Sequence, residues 1–299
     1  MRKRNILNSS GLLELKKRRQ RVLLNKILIF LLGLTAIFIS SAYISRLDSL
    51  NIKEIEIVGN KIVETEILKA VIEQQITGKY LWIFPKTNIL FYPKNTIKSE
   101  IQNKFKRLKD IRLSIKDNKI LEVSVSERIA LYTWCGVKSL EESPEALLVE
   151  ISTSKASGEE CYFLDEDGYV FDEAPYFSGG VYFKFYGSLD TDNPFGSYLS
   201  KQNFKQFILF KDVLANMKLK PVALNIINSE DAEVILLKAT SSTTEPKIIF
   251  KMHADFQKIA ENLQAALNTE PLKSKFKNKY GALQYIDLRF GNKVYDKFL

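Results

Sequence analysis

The chain has 299 residues, a formal net charge of +9, 45% apolar residues, one histidine and two cysteines. Those counts leave a His–Cys zinc site short of ligands, and leave His253 as the only base for a Ser–His–Asp triad. No GxGxxG, GxxxxGK(S/T) or GxSxG occurs, and no pair of carboxylates stands out as a glycosidase pair, so no catalytic, cofactor-binding or metal-binding residue is assigned.

The charge is concentrated at the front. The first 26 residues hold Arg2, Lys3, Arg4, Lys16, Lys17, Arg18, Arg19, Arg21 and Lys26 against one acid, Glu14, which leaves the rest nearly neutral. A basic surface for nucleic acid is therefore not expected on the folded part. The uncharged run Ile27–Ile44 (ILIFLLGLTAIFISSAYI) follows at once. About 20 apolar residues span a bilayer, and cations cluster on the cytoplasmic side, so the reading is a basic cytoplasmic head over 1–26 and a transmembrane helix over 27–45. A cleaved signal peptide would have a shorter core and a small-x-small site, for which Ser40-Ser41-Ala42 is the only candidate. A buried core helix would not explain nine cations before it.

Next comes a unit over 50–127. IKEIEIVG (Ile52–Gly59) alternates like a half-buried strand, and Gly59-Asn60 turns the chain. A helix with Ile67, Leu68, Val71, Ile72 and Ile76 on one stripe follows, with Thr65 as its candidate N-cap and Gly78 as its stop. Tyr80–Phe84 is a short aromatic strand or loop. A second helix opens at Pro93 and presents Ile97, Ile101 and Phe105. Two strands, Asp110–Lys116 and Ile120–Ser126, meet at the turn Asp117-Asn118-Lys119. The order is β-α-α-β-β.

The remainder, 128–299, reads as a larger mixed domain built on an antiparallel sheet with helices. Its expected strands are ALYTWC, LLVEIS, CYFLDEDGYVFDE, VYFKFYGS, PVALNII, AEVILLKAT and KIIFKM. Asp165–Gly168 is expected to be a hairpin turn; it lacks the ligand pattern of a calcium loop. One helix is placed over Ser200–Met217, with Phe204, Phe207, Phe210, Leu214 and Met217 inward. The most regular apolar stripe, Phe256, Ile259, Ala260, Leu263, Ala266 and Leu267, marks another. His253 falls at the strand-to-helix junction before it. Cys135 and Cys161 flank a polar insertion, and beyond the span an oxidised pair is expected; two buried thiols are the alternative. The chain closes with LQYIDLRF, the turn Gly291-Asn292, and KVYDKFL. Ile286, Leu288 and Phe290 are expected on one face, with Tyr285, Asp287 and Arg289 on the other. The final strand is expected to lie at a sheet edge, where another chain can add a strand or where Lys293 and Lys297 guard a solvated rim.

Three pieces in the first unit, IKEIEIVGN, the helix pair and LEVSVSERIALYTW with its Glu127-Arg128, resemble a POTRA domain. Over the whole chain, the basic head with one span, that unit, SERIALYTW…LDEDGYVF and the closing YIDLRFGNKVY resemble the FtsQ/DivIB family of bacterial division proteins. The cysteine-flanked insertion departs from the family's pattern. The resemblance implies a single-pass protein of the cell (inner) membrane at the division septum, with its N-terminus cytoplasmic and its domains periplasmic or extracellular. It further implies a non-enzymatic scaffold that links early and late division proteins and regulates septal peptidoglycan synthesis. Its partners would be FtsB/DivIC-like and FtsL-like single-span proteins, with no nucleic acid and no small-molecule substrate. Tyr285, Arg289, Phe290, Val294, Tyr295 and Phe298 are the candidate partner-binding residues. The alternatives are a POTRA-bearing transport or chaperone component, which would have repeated units or a barrel, and an anchored cell-wall hydrolase, which would gather carboxylates in a cleft.

Overall fold

The computed structural model describes residues 10–136, 160–175, 177, 180–239 and 245–299. Arg2, Lys3, Arg4 and the strand expected at LLVEIS lie outside the described residues. The chain divides into two compact units, Met1–Glu127 and Arg128–Leu299.

The first unit begins with helix α1, Ser10–Ile44. From Lys16 onward it is long and apolar enough to cross a membrane, and none of its most apolar window is buried. No structural break falls at residue 26, because Leu, Lys, Arg and Gln all propagate a helix. The carbonyls just past its end are capped from a distance. Asn51 donates its amide to the C=O groups of Ser45 and Leu47 at 3.0 and 2.8 Å. Asn88, only 1% exposed, donates to the C=O of Ser45 at 3.0 Å. These bonds satisfy acceptors that a helix end leaves open, and they tie α1 to the folded part of its unit.

That folded part is a three-stranded sheet under two helices. Strand β1 (Glu54–Val58) leads to α2 (Thr65–Ile76), the hairpin β2 (Lys79–Tyr80) and β3 (Phe84–Pro85), α3 (Lys94–Lys104), β4 (Leu108–Lys116) and β5 (Ile120–Glu127). Its sheet order is β1-β5-β4, with β1 parallel to β5 and β4 antiparallel to it. Leu68, Val71 and Ile72 of α2 and Ile97 and Ile101 of α3 bury against Ile55, Ile111, Leu121, Val123 and Val125. Gly59 is required where it stands: its φ is +96° and a Cβ would lie 2.1 Å from the C=O oxygen of Val125. Thr65 does not cap α2. Glu64 occupies that position, and the Thr65 hydroxyl instead accepts from the Asn60 side chain at 2.8 Å.

Glu127 closes this unit. Its carboxylate accepts the backbone N–H groups of Lys61, Ile62 and Val63 at 2.7–3.1 Å. Partial burial alone would raise its pKa, but those three donors and the nearby Arg107 outweigh it and hold the carboxyl below its ordinary value. A depressed folded pKa stabilises above the unfolded value and ceases to do so as pH falls through the folded one. Glu127→Gln is therefore expected to cost this unit about 1 kcal/mol at pH 7, after allowing for solvent screening. In urea unfolding followed by hydrogen exchange of the β4 and β5 amides, the gap to wild type should close in acid below the ordinary glutamate range. A gap that persists unchanged there would show that the charge is not what Glu127 supplies.

Among the described residues, the second unit is one ten-stranded sheet with helices on one face. In chain order it contains β6 (Tyr132–Cys135), β7 (Cys161–Leu164), β8 (Tyr169–Ala174), β9 (Phe183–Tyr186), β10 (Gly196–Ser197), α4 (Lys201–Asn216), β11 (Pro221–Ile226), β12 (Asp231–Leu236), β13 (Lys247–Lys251), α5 (Phe256–Leu267), α6 (Leu272–Lys279), β14 (Leu283–Phe290) and β15 (Lys293–Phe298). The strand order is β10-β8-β7-β6-β9-β11-β12-β13-β14-β15. The sheet is mixed and not the antiparallel one expected. β6 with β9, β9 with β11 and β13 with β14 run parallel: the 187–200 segment and α4 return the chain between β9 and β11, α5 and α6 return it between β13 and β14, and β9 follows the antiparallel β7 and β8 in the direction of β6.

Phe204, Phe207, Phe210 and Leu214 of α4 and Ile259, Ala260 and Leu263 of α5 pack on Trp134, Leu164, Phe185, Val234, Phe250 and Ile286. Ser200 caps α4 by accepting the Asn203 N–H at 3.2 Å, and Asp255 caps α5 by accepting from Gln257 and Lys258. Cys135 and Cys161 stand directly opposite each other on β6 and β7 and are disulfide-bonded. Arg128 ion-pairs with Asp165 and lies 4.1 Å above the Tyr169 ring. Asp165 also accepts the N–H groups of Asp167 and Tyr169, so it organises the hairpin turn before β8. Gly168 in that turn has φ +77°, and a Cβ there would meet the Phe204 ring at 2.6 Å. Adjacent residues of the Glu127-Arg128 motif thus each secure a turn in a different unit.

Candidate partner-binding edge

Among the described residues, strand β15 is the last strand of the sheet, bonded to β14 on one side only. The Leu299 N–H donates inward to the C=O of Ala282 at 2.8 Å. Backbone groups alternate in direction along a strand, and the register irregularities fall on β14, so the N–H groups of Phe298, Asp296 and Val294 point away from the sheet. Six backbone polar groups, three donors and three acceptors, form an open ladder there.

Side chains flank this rim on both faces. On the helix face, Val294 and Phe298 are half-buried against the core, and Asp296 pairs with Lys275 of α6 at 2.9 Å. The Lys275 ammonium also lies 5.7 Å from the centre of the Phe298 ring. On the opposite face stand Lys293, Tyr295 and Lys297, with Tyr285 of β14 opposite Lys297. Phe290 departs from expectation. It leaves the face of Ile286 and Leu288 and is 56% exposed, in edge-to-face contact with Tyr295 at 5.2 Å. The cause is a bulge: three steps of β14 from Asp287 to Phe290 match two steps of β15 from Tyr295 to Lys293, and the extra residue reverses the face.

Arg289 is used inside the unit. Its guanidinium donates to both oxygens of Asp287, at 3.0, 3.2 and 2.7 Å, and to Asp231 of β12 at 2.9 Å. Asp287 is buried and is the main partner; its hydrogen bonds outweigh burial and, with Asp231, hold the guanidinium pKa above its already high ordinary value. Of the six candidate residues, the structure therefore brings Phe290, Val294, Tyr295 and Phe298 to the rim. Tyr285 stands one strand back, and Arg289 braces β14 against β12 across β13.

Sequence reasoning missed Asp231, Lys275 and the short lysine-rich helix α6. Asp231 and Arg289 are 58 positions apart and on strands that are not neighbours. Pro271 before α6 is a possible start signal, but Leu272 is its only buried residue, too little for a periodic stripe. The Asn262 side chain of α5 donates to the C=O of Gly291 at 3.0 Å, so α5 also holds the last turn.

Fold and site together define an α+β protein that has, among the described residues, one helix long and apolar enough to cross a membrane and a large mixed sheet whose last strand is paired on one side. No protein-family model matches the chain, and no curated protein matches it significantly.

Proposed function

We propose that this chain is a single-span, non-enzymatic scaffold of bacterial cell division of the FtsQ/DivIB kind. It is held by α1 with its N-terminus cytoplasmic and recruits an FtsB/DivIC-type partner by strand addition to β15. The observation that carries this reading is the open backbone rim of β15, flanked by Phe290, Tyr295, Lys293 and Lys297. Strand addition takes its affinity from main-chain hydrogen bonds and its specificity from alternate side chains, and both are present at this rim. The β-α-α-β-β unit after α1, with its extra β2–β3 hairpin, is compatible with a POTRA-type domain next to the membrane. The two lysines favour an acidic partner strand by complementarity. A fluorescent fusion of the full chain should gather at mid-cell, and depletion should give filaments without septa. A fusion spread evenly round the envelope of cells that still divide would overturn the reading and favour the transport alternative.

A further inference from the structure

We propose that the β2–β3 hairpin inserts its tip into the leaflet at the C-terminal end of α1, so that this chain grips the bilayer at two places. The inference rests on α1 crossing that bilayer and is independent of the partner at β15.

The hairpin tip is built against solvation. Tyr80 pairs with Phe84, and the turn between them is closed by the Ile83 N–H donating to the Tyr80 C=O at 3.0 Å. Its two central residues are Leu81, 74% exposed, and Trp82, 93% exposed. Both have positive φ, +47° and +65°. A turn of this kind in water is normally given to Asn-Gly or Asp-Gly, because a side chain in the left-handed region costs about 1–2 kcal/mol per residue. Here that conformation carries two of the largest apolar side chains into the open. Leu90 and Phe91 of the following loop are exposed as well, and Phe91 touches Phe84 at 6.4 Å. Contiguous exposed apolar residues mark a binding surface.

The position of the hairpin names the occupant. The Phe84 ring meets the Phe38 ring of α1 edge-to-face at 5.6 Å. Phe38 precedes the first charge after the span, Arg46, by eight residues, or about 12 Å of helix. The charge-free stretch 27–45 is about 28 Å long, close to the hydrocarbon thickness of a bilayer. A residue in contact with Phe38 is thus level with the apolar part of α1 and not with water. The Asn51 and Asn88 bonds hold that level, since they fix the 87–89 loop to the exit of α1. Cations border the patch as interfacial anchors do. Lys79 opens the hairpin, and the Lys86 ammonium lies 5.7 Å from the Tyr80 ring centre, with aliphatic stems long enough to leave the charge among headgroups. Two attachments would set the tilt of the first unit on the membrane, which a single helix cannot do.

The chain has two tryptophans, and Trp134 is buried in the second unit, so emission lost on Trp82→Phe isolates Trp82. The full chain, its W82F form and Leu81→Glu are reconstituted in phosphatidylcholine–phosphatidylglycerol vesicles with and without brominated acyl chains, and flotation is scored on the same samples. Bromination should quench roughly half or more of the Trp82 emission, and L81E should reduce that quenching at least about twofold. Trp82 emission indifferent to bromination in protein that floats with the vesicles would overturn the hairpin proposal and leave the span standing. Protein that fails to float would overturn both.

Discussion

Val294→Pro is expected to leave the chain folded and to weaken capture of its FtsB/DivIC-type partner at least about tenfold, equivalent to 1.4 kcal/mol or more. The Val294 N–H points away from β14, so proline there removes no ladder bond of the free protein; edge strands accept proline where the N–H faces solvent. It does remove the donor at one end of the open ladder and puts a ring where a partner backbone would lie. Val294→Ala keeps the donor and trims only side-chain packing, so it should bind far better than the proline form. Tyr295→Pro tests the direction assignment, since the Tyr295 N–H faces β14 and its loss should lower thermal stability. Affinity is read with both full chains in nanodiscs. A V294P chain that binds like wild type would remove strand addition from the account.

The largest loss of stability is expected at Arg289. Removing its guanidinium strands Asp287, 5% exposed, and leaves Asp231 without its cation, and breaking one side of a buried ion network typically costs 3–5 kcal/mol. Arg289 itself retains some solvent contact, so about 2–4 kcal/mol is the estimate for Arg289→Ala. Arg289→Lys should fall between, because an ammonium cannot reproduce a fork that reaches two carboxylates on different strands. Urea unfolding followed by Trp134 emission in a W82F background reads the second unit by itself. An R289A midpoint within error of wild type would mean that β14 is held by its packing alone. Partial recovery in the R289A/D287A/D231A triple form would identify the stranded carboxylates as the source of the loss.

Much of this architecture was legible because the signals were local. Alternation in IKEIEIVG, the stripe of Phe256, Ile259 and Leu263, and the Gly291-Asn292 turn each declare an element within about ten residues. Strand order was not legible, since whether β9 lies beside β6 or β10 depends on which buried faces match across the whole unit. The parallel pairs were missed for the same reason. At the edge, apolar alternation misplaced Phe290, because a bulge is a relation between two strands and leaves no period of its own. Asp287 and Arg289 were legible as residues on one face, whereas the reach to Asp231 follows from a sheet order that the sequence does not display. The exposed Leu81-Trp82 tip was hidden by its composition: aromatic and apolar residues in a row read as strand or loop, and only the backbone shows that they occupy a tight turn.

The account turns on whether the outer rim of β15 is where another chain binds. Amide hydrogen exchange along residues 283–299 of the full-length protein, with and without the partner in the same membrane, tests this most directly. The amides of Val294, Asp296 and Phe298 should exchange rapidly alone and at least about tenfold more slowly in the complex, while Tyr295 and Lys297, already bonded to β14, change little. Full occupancy of the partner with those three amides still exchanging as in the free protein, and new protection elsewhere, would contradict it.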